Sequence, residues 1–200
     1  MVSRVLEPEA DPLERFSAWF EEARAAGIAE VEAVCLATAA ADAAPSARMV
    51  LFKGLDAQGR FTFFTNHQSR KGGELAANPR AALVFWWREL ERQVRVEGAV
   101  ERLSEPVSDA YYASRPRGSR IAVWASAQSA PVAARAALEA RFAEAEARFA
   151  AGEIPRPGYW GGYGVVPHTI EFWTGFPNRF HDRLRYRRGA AGWTHQRLMP

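Results

Sequence analysis

The chain of 200 residues has a single cysteine, Cys35. An intrachain disulfide is excluded, and no cysteine-based zinc cluster can form, so a reducing cytoplasm is the expected compartment. No run of 18 apolar residues occurs, and Met1-Val2-Ser3-Arg4 lacks an apolar signal region, so neither a membrane span nor a secretory leader is expected. His67, His168, His181 and His195 are scattered, with no HExxH element and no HxH beside a carboxylate, and no metal site is expected. A GxSxG elbow, a GxGxxG turn and a P-loop are all missing, which removes the serine-hydrolase, Rossmann and nucleotide-hydrolase fingerprints. Any phosphate-bearing ligand must then be held by side chains. Lysine is scarce too: of 26 basic residues only Lys53 and Lys71 are lysines, which marks them as positions where a compact ammonium is preferred. A net charge of +3, with 23 acidic residues interspersed, is too weak a footprint for nucleic acid.

With 48% hydrophobic and 12% aromatic residues the chain can bury one sizeable core, so a short arm (residues 1–10) followed by one domain (residues 11–200) is expected. Leu13, Phe16, Trp19, Phe20 and Ala23 recur at helical spacing and predict a helix over 12–26. Residues 33–39, 47–53, 60–66 and 80–87 read as strands, with Asp56-Ala57-Gln58-Gly59 turning between the second and third. Residues 91–102 place Val94, Val96 and Gly98 inward against Arg95, Glu97 and Ala99, in a strand long enough to bend across a barrel. Helices are expected over 106–114 and 132–150, the second with Leu138, Phe142 and Phe149 on one side. Strands over 168–173, 180–187 and 192–198 complete a mainly β, barrel-like α+β domain. The run Phe85-Trp86-Trp87 is expected to be exposed and to seek a second copy of the chain.

Chemistry-bearing residues gather at the ends of these elements. In Thr65-Asn66-His67-Gln68-Ser69-Arg70-Lys71 a strand leads into a short helix, so free backbone N–H groups, a hydroxyl, a guanidinium and an ammonium form a candidate phosphate cradle. Arg48 and Lys53, five apart along the preceding strand, point to opposite faces and could serve two ligands. Tyr111 and Arg115, spaced i, i+4, with Ser119 a turn beyond, make a second candidate phosphate site. Arg179, His181 and Arg183 share one face if their segment is extended, a set suited to an anion or a polarised aromatic ring.

These motifs in this order resemble the pyridoxamine/pyridoxine 5′-phosphate oxidase family: Arg48-Met-Val-Leu-Phe-Lys53, Phe64-Thr65, Ser69-Arg70-Lys71, Glu91-Arg92-Gln93-Val94-Arg95-Val96-Glu97-Gly98, Ser114-Arg115-Pro116-Arg117-Gly118-Ser119, Gln128-Ser129, Glu171-Phe172-Trp173 and Arg179-Phe180-His181-Asp182-Arg183. The resemblance runs from about Asp11 to Pro200. It implies an FMN-binding split β-barrel with flanking helices, working as a homodimer with FMN at the subunit interface. The implied reaction is oxidation of pyridoxine or pyridoxamine 5′-phosphate to pyridoxal 5′-phosphate, with O₂ accepting the electrons as H₂O₂.

The resemblance further implies that Arg48, Met49, Val50, Leu51, Phe64, Thr65, Ser69, Arg70, Lys71, Gln93, Arg95, Gln128, Ser129, Trp173 and Arg183 surround FMN. Lys53, Tyr111, Arg115 and Ser119 would take the substrate phosphate, and Arg179 and His181 the substrate ring, as the catalytic pair. Two alternatives belong beside this reading: a sister flavin oxidase of secondary metabolism, of the phenazine type, and a non-catalytic FMN or pyridoxal-phosphate binder. Many family members carry a longer arm with an Arg-x-x-Tyr element, whereas Arg4 here has no tyrosine three residues on.

Overall fold

The computed structural model describes residues 5–200, so Arg4 and the first residues of the arm lie outside the described residues. Asp11 starts the first helix, α1 (Pro12–Ala25): its carboxylate accepts the Leu13 N–H at 2.8 Å, and Pro12 occupies a first-turn position where a missing N–H costs nothing. The expected stripe is buried, with Phe16 packed on Phe61, Phe85 and Phe52 at ring separations of 4.7, 5.0 and 5.4 Å. Such edge-on aromatic contacts contribute beyond area burial alone.

Eight strands follow: β1 (Ala33–Ala39), β2 (Pro45–Leu51), β3 (Phe61–Asn66), β4 (Arg80–Trp87), β5 (Arg92–Arg102), β6 (Trp160–Thr174), β7 (Asp182–Gly189) and β8 (Gly192–Arg197). All pair antiparallel in the order β2-β1-β4-β5-β6-β7-β8, with β3 also on β6. β6 organises the sheet, because β5 runs along one edge while β3 takes the first part of the other edge and β7 the last. No ladder joins β2 to β3 among the described residues. The segment after β2 meets β3 through the Lys53 N–H on the Thr62 carbonyl (2.8 Å), the Thr62 N–H and hydroxyl on the Gly54 carbonyl (3.0 and 2.9 Å) and an isolated Leu55–Phe61 bridge, and the sheet is not closed there. At Gly98 the β5–β6 register shifts, and a Cβ would stand 2.1 Å from the Val166 carbonyl oxygen, so only glycine fits.

Four more helices flank the sheet: α2 (Arg70–Ala77), α3 (Glu105–Ser114), α4 (Arg117–Ala125) and α5 (Arg135–Arg148). α4 was not expected, since Arg-Pro-Arg-Gly-Ser reads as a loop. Pro116 caps it, and Ile121 and Ala125 bury against Ala145, Phe149 and Ile154 in a small second core. β6 begins eight residues earlier than the periodicity implied, because Gly161, Gly162 and Gly164 hide its alternation. The aromatic run on β4 is also corrected: Phe85 and Trp87 are core residues, and alternation leaves Trp86 alone half exposed. The described part of the arm is fastened to β7, with the Leu6 N–H on the Asp182 carboxylate at 2.7 Å and the Glu9 N–H on the Tyr186 hydroxyl at 2.9 Å. No helix among the described residues is long and apolar enough to cross a membrane.

Candidate functional site

The cradle forms where β2, β3 and α2 meet. Ser69 is the N-cap of α2: its hydroxyl accepts the Gly72 N–H at 3.3 Å and donates to the Asn66 carbonyl at 2.7 Å. That hydroxyl, expected as a ligand donor, is committed to the helix start. Lys71 is buried, and its Nζ donates to Gln128 Oε1 at 2.9 Å and lies 3.3 Å from Thr65 Oγ1. Burial pushes the ammonium pKa down and Arg48 pushes the same way, with Glu74 opposing them. Gln128 and Ser129 come from the loop after α4, with Ser129 at φ 73°, and they line a cavity of about 290 Å³ with Asn66, Gln68 and Arg70.

Sequence reasoning missed Glu74. Its buried carboxylate accepts from Thr38 Oγ1 (2.5 Å), Ser46 Oγ (2.7 Å), Arg70 Nε (2.9 Å) and Arg48 Nη2 (3.0 Å). Burial alone would raise its pKa, but the four hydrogen bonds outweigh it and hold the group at about 2. The i, i+4 spacing of Arg70 and Glu74 was a readable signal. The reach to β1 and β2 was not, because it depends on the register of Arg48 opposite Leu36.

On β3 the next residue back, Phe64, opens the second cluster. Its ring stacks on Tyr111 at 3.9 Å and on Trp160 at 5.8 Å, and Lys53 Nζ lies 6.0 Å from the Tyr111 ring. The expectation that Tyr111 and Arg115 share a helical face is corrected, because α3 stops at Ser114 and Arg115 is extended at ψ 147°. The Arg115 guanidinium instead lies over Trp160 at 4.6 Å, with Nη1 buried and without a hydrogen-bond partner, and burial lowers its pKa. Ser119 sits in the first turn of α4.

A third group lies on the far part of the sheet. Register aligns Trp86, Gln93, Trp173 and Arg183 in one row across β4, β5, β6 and β7. Arg183 Nε donates to the buried Glu171 carboxylate at 3.0 Å with Nη2 2.9 Å from the same oxygen, and Arg95 reaches the carboxylate at 3.7 Å. His181 lies over Trp173 at 4.5 Å, and its Nδ1 accepts the Phe176 N–H at 3.1 Å, so the neutral ring carries its proton on Nε2.

The condition that would put Arg179 on one face with His181 and Arg183, an extended segment, is not met. Pro177–Arg179 is a 3₁₀ turn with Asn178 and Arg179 at φ 59° and 61°, a conformation that costs a bulky side chain about 1–2 kcal/mol. Phe176, Phe180, His181, Leu198 and Met199 line an adjoining cavity of about 500 Å³. Among the described residues, no hydrogen bond, ion pair or ring contact joins this wall to the cradle or to the Tyr111 cluster. Exposed apolar side chains stand on both parts: Met49 (63%) and Leu51 (46%) on β2, and Trp86 (50%), Phe180 (78%) and Met199 (86%) on the wall side.

Comparisons with known proteins identify the family. A family model described as pyridoxamine 5′-phosphate oxidase matches residues 20–149, and one described as the pyridoxine 5′-phosphate oxidase C-terminal dimerisation region matches residues 160–200. A relative named pyridoxine/pyridoxamine 5′-phosphate oxidase from Ralstonia pickettii is 57% identical over 198 residues, covering 98% of this chain and 92% of its own. The crystal structure of PhzG from Burkholderia lata in complex with tetrahydrophenazine-1-carboxylic acid superposes with a TM-score of 0.90 at 34% identity, covering 97% of this chain and 95% of that one. A pyridoxamine 5′-phosphate oxidase-related, FMN binding protein from Nostoc punctiforme shares the fold, with a TM-score of 0.75 at 17% identity over 96% of this chain and 100% of its own. With both models matched in sequence order on one continuous sheet, the chain belongs to the pyridoxamine 5′-phosphate oxidase family.

Proposed function

We propose that the protein oxidises pyridoxine or pyridoxamine 5′-phosphate to pyridoxal 5′-phosphate on FMN, with O₂ as the acceptor and H₂O₂ released. The observation that carries this reading is a pair of cation clusters flanking β3, each short of an anion. On one side the buried Lys71 ammonium meets only neutral oxygens at hydrogen-bonding distance, and on the other Arg115 Nη1 is buried with no partner. A buried donor without an acceptor costs about 1–3 kcal/mol, and a phosphate removes that cost. Arg115 is such a donor, and the Lys71 ammonium, though neutral oxygens accept from it, has no carboxylate at hydrogen-bonding distance among the described residues; the pair suits two phosphomonoesters, one on the cofactor and one on the substrate.

In this reading Arg48, Arg70, Lys71 and the α2 N-terminus hold the FMN phosphate, with Thr65, Gln128 and Ser129 beside it and Met49, Val50, Leu51 and Phe64 near the rest of the molecule. Lys53, Tyr111, Arg115 and Ser119 take the substrate phosphate. Gln93, Arg95, Trp173 and Arg183 complete the flavin site, and Arg179 and His181 lie over the substrate ring. The chemistry FMN supplies when bound is acceptance of two electrons from the carbon bearing OH or NH₂. The chain's part is orientation: Arg179 fixes the ring, and His181, its proton on Nε2, is free to donate towards it.

Because no hydrogen bond, ion pair or ring contact joins the wall to the cradle among the described residues, the reading places them together across a homodimer interface. The match to a dimerisation region and the exposed Met49, Leu51 and Trp86 support that placement. Residues 11–200 then act as one domain, since β5 and β6 unite both matched regions in one sheet.

A second reading, a phenazine-type oxidase, is favoured by the likeness to PhzG. Lys53, Tyr111 and Arg115 weigh against it, since a substrate without phosphate leaves the Arg115 donor orphaned. The test is to add pyridoxine 5′-phosphate to the FMN-loaded protein without oxygen and follow the flavin absorption. Bleaching, reversed by air, is expected. An unchanged spectrum would leave a non-catalytic binder, and bleaching by a reduced phenazine precursor alone would favour the second reading.

A further inference from the structure

A carboxylate buried among cations that are to bind a phosphate is unexpected, because it repels the ligand. Glu74 is nonetheless 7% exposed, and all four of its hydrogen-bond donors come from the cradle or the strands beneath it. Arg48 is held most completely: it bonds Glu74, Ser46 and Thr38, and its Nη1 reaches the Leu36 carbonyl at 3.4 Å. Arg70, which starts α2, bends its Nε back onto the other carboxylate oxygen and leaves its remaining guanidinium nitrogens free of Glu74. Three cations, Arg48, Arg70 and Lys71, less one carboxylate leave a local charge of +2, the counterpart of a phosphomonoester carrying about −1.5 to −2.

We propose that Glu74 is a positioning residue for cofactor binding, which fixes Arg48 and Arg70 in their phosphate-binding geometry before the ligand arrives. The inference rests on the reading of this cradle as the FMN phosphate site. Without the carboxylate three like charges repel, and the entropy of ordering two long side chains falls on the binding step. The two possible roles of Glu74 therefore differ in sign. As an opposing charge it weakens FMN binding, and its removal tightens it; as a positioning group it strengthens binding, and its removal loosens it.

The experiment is a titration of the FMN-free protein with FMN and with riboflavin, which lacks the phosphate, following flavin fluorescence. In Glu74→Gln the Kd for FMN is expected to rise roughly tenfold or more while that for riboflavin stays put. Ser46→Ala, a milder change that removes one tie to the same carboxylate, should shift FMN a few-fold in the same direction, and it decides the question if Glu74→Gln does not fold. Unchanged or tighter FMN binding overturns the proposal, as does an equal loss for both flavins, which would mark Glu74 as merely structural. Failure of the unsubstituted protein to take up either flavin would overturn the cofactor reading and this inference with it, a result told apart because no variant is needed to see it.

Discussion

The cradle and the wall solve opposite problems. In the cradle the main side chains are tied within one chain: Ser69 to the helix cap, Arg48 and the Arg70 Nε to Glu74, and Lys71 to Gln128. On the wall the inner side of the row is tied, Arg183 to Glu171, but Arg179 and Phe180 are exposed on a turn with two residues in the left-handed region. A phosphate of fixed shape suits a site built before binding. A ring that must enter and leave suits a turn that a second subunit completes.

The change expected to break this division most severely is Trp86→Glu. Trp86 is half exposed and packs its ring 5.7 Å from Trp173. A charge there should yield monomers that lose FMN and activity together, by more than roughly a hundredfold if an apolar dimer contact completes the site. Sedimentation and flavin content check it, and an active, flavin-loaded monomer would break the scheme.

Next come the two wall arginines, Arg179 in the turn and Arg183 on β7, which sharpen the contrast. Arg179→Ala should lower kcat/KM for pyridoxine 5′-phosphate roughly tenfold to a hundredfold while FMN stays bound, the scale of one charged hydrogen bond. Arg183→Ala should release FMN first and also lower stability by about 1–3 kcal/mol, because Glu171 is left buried with only Arg95 near. Equal flavin loss in both variants would show the wall to be divided wrongly.

Much of this was legible beforehand, and the failures have physical causes. The strands over 33–39 and 80–87 and the buried stripe of α1 followed from apolar periodicity alone. The early part of β6 did not, since three glycines carry no side chains to alternate. For the site, chain-local groups such as Ser69 to Lys71 at a helix start could be read directly, whereas Glu74, Glu171 and the Trp86–Gln93–Trp173–Arg183 row depend on strand register between distant segments. The shared face of Arg179, His181 and Arg183 required an extended segment, and left-handed Asn178 and Arg179 after Pro177 keep Arg179 out of β7.

A smaller effect is expected for the two-lysine argument. Lys53 is exposed in the single chain, over the Tyr111 ring. Lys53→Arg should raise KM about tenfold, nearly as much as Lys53→Ala, because a planar guanidinium does not replace a compact ammonium. Arg141→Lys on α5 is the silent control. Normal steady-state kinetics for Lys53→Arg would leave the substrate phosphate to Tyr111, Arg115 and Ser119.

An effect on stability and not on activity lies beside the cradle, at His67. Burial, then the charges of Arg102 and Arg156, lower its pKa from 6.5 to about 4. The unfolded chain takes a proton below about 6.5 and the folded chain only near 4, so stability falls as pH drops through that window. His67→Gln should flatten the denaturation midpoint between those limits, and an unchanged slope would assign the acid sensitivity elsewhere.

The most direct test of a site shared between two subunits is to mix two impaired variants, Arg115→Ala and Arg179→Ala, by co-expression. If the phosphate cluster of one protomer faces the wall of its partner, a mixed dimer concentrates both lesions in one site and leaves the other intact, so about a quarter of the unsubstituted activity should return. Activity no greater than that of either variant alone, in a population shown by mass to contain mixed dimers, would place the whole site within a single chain.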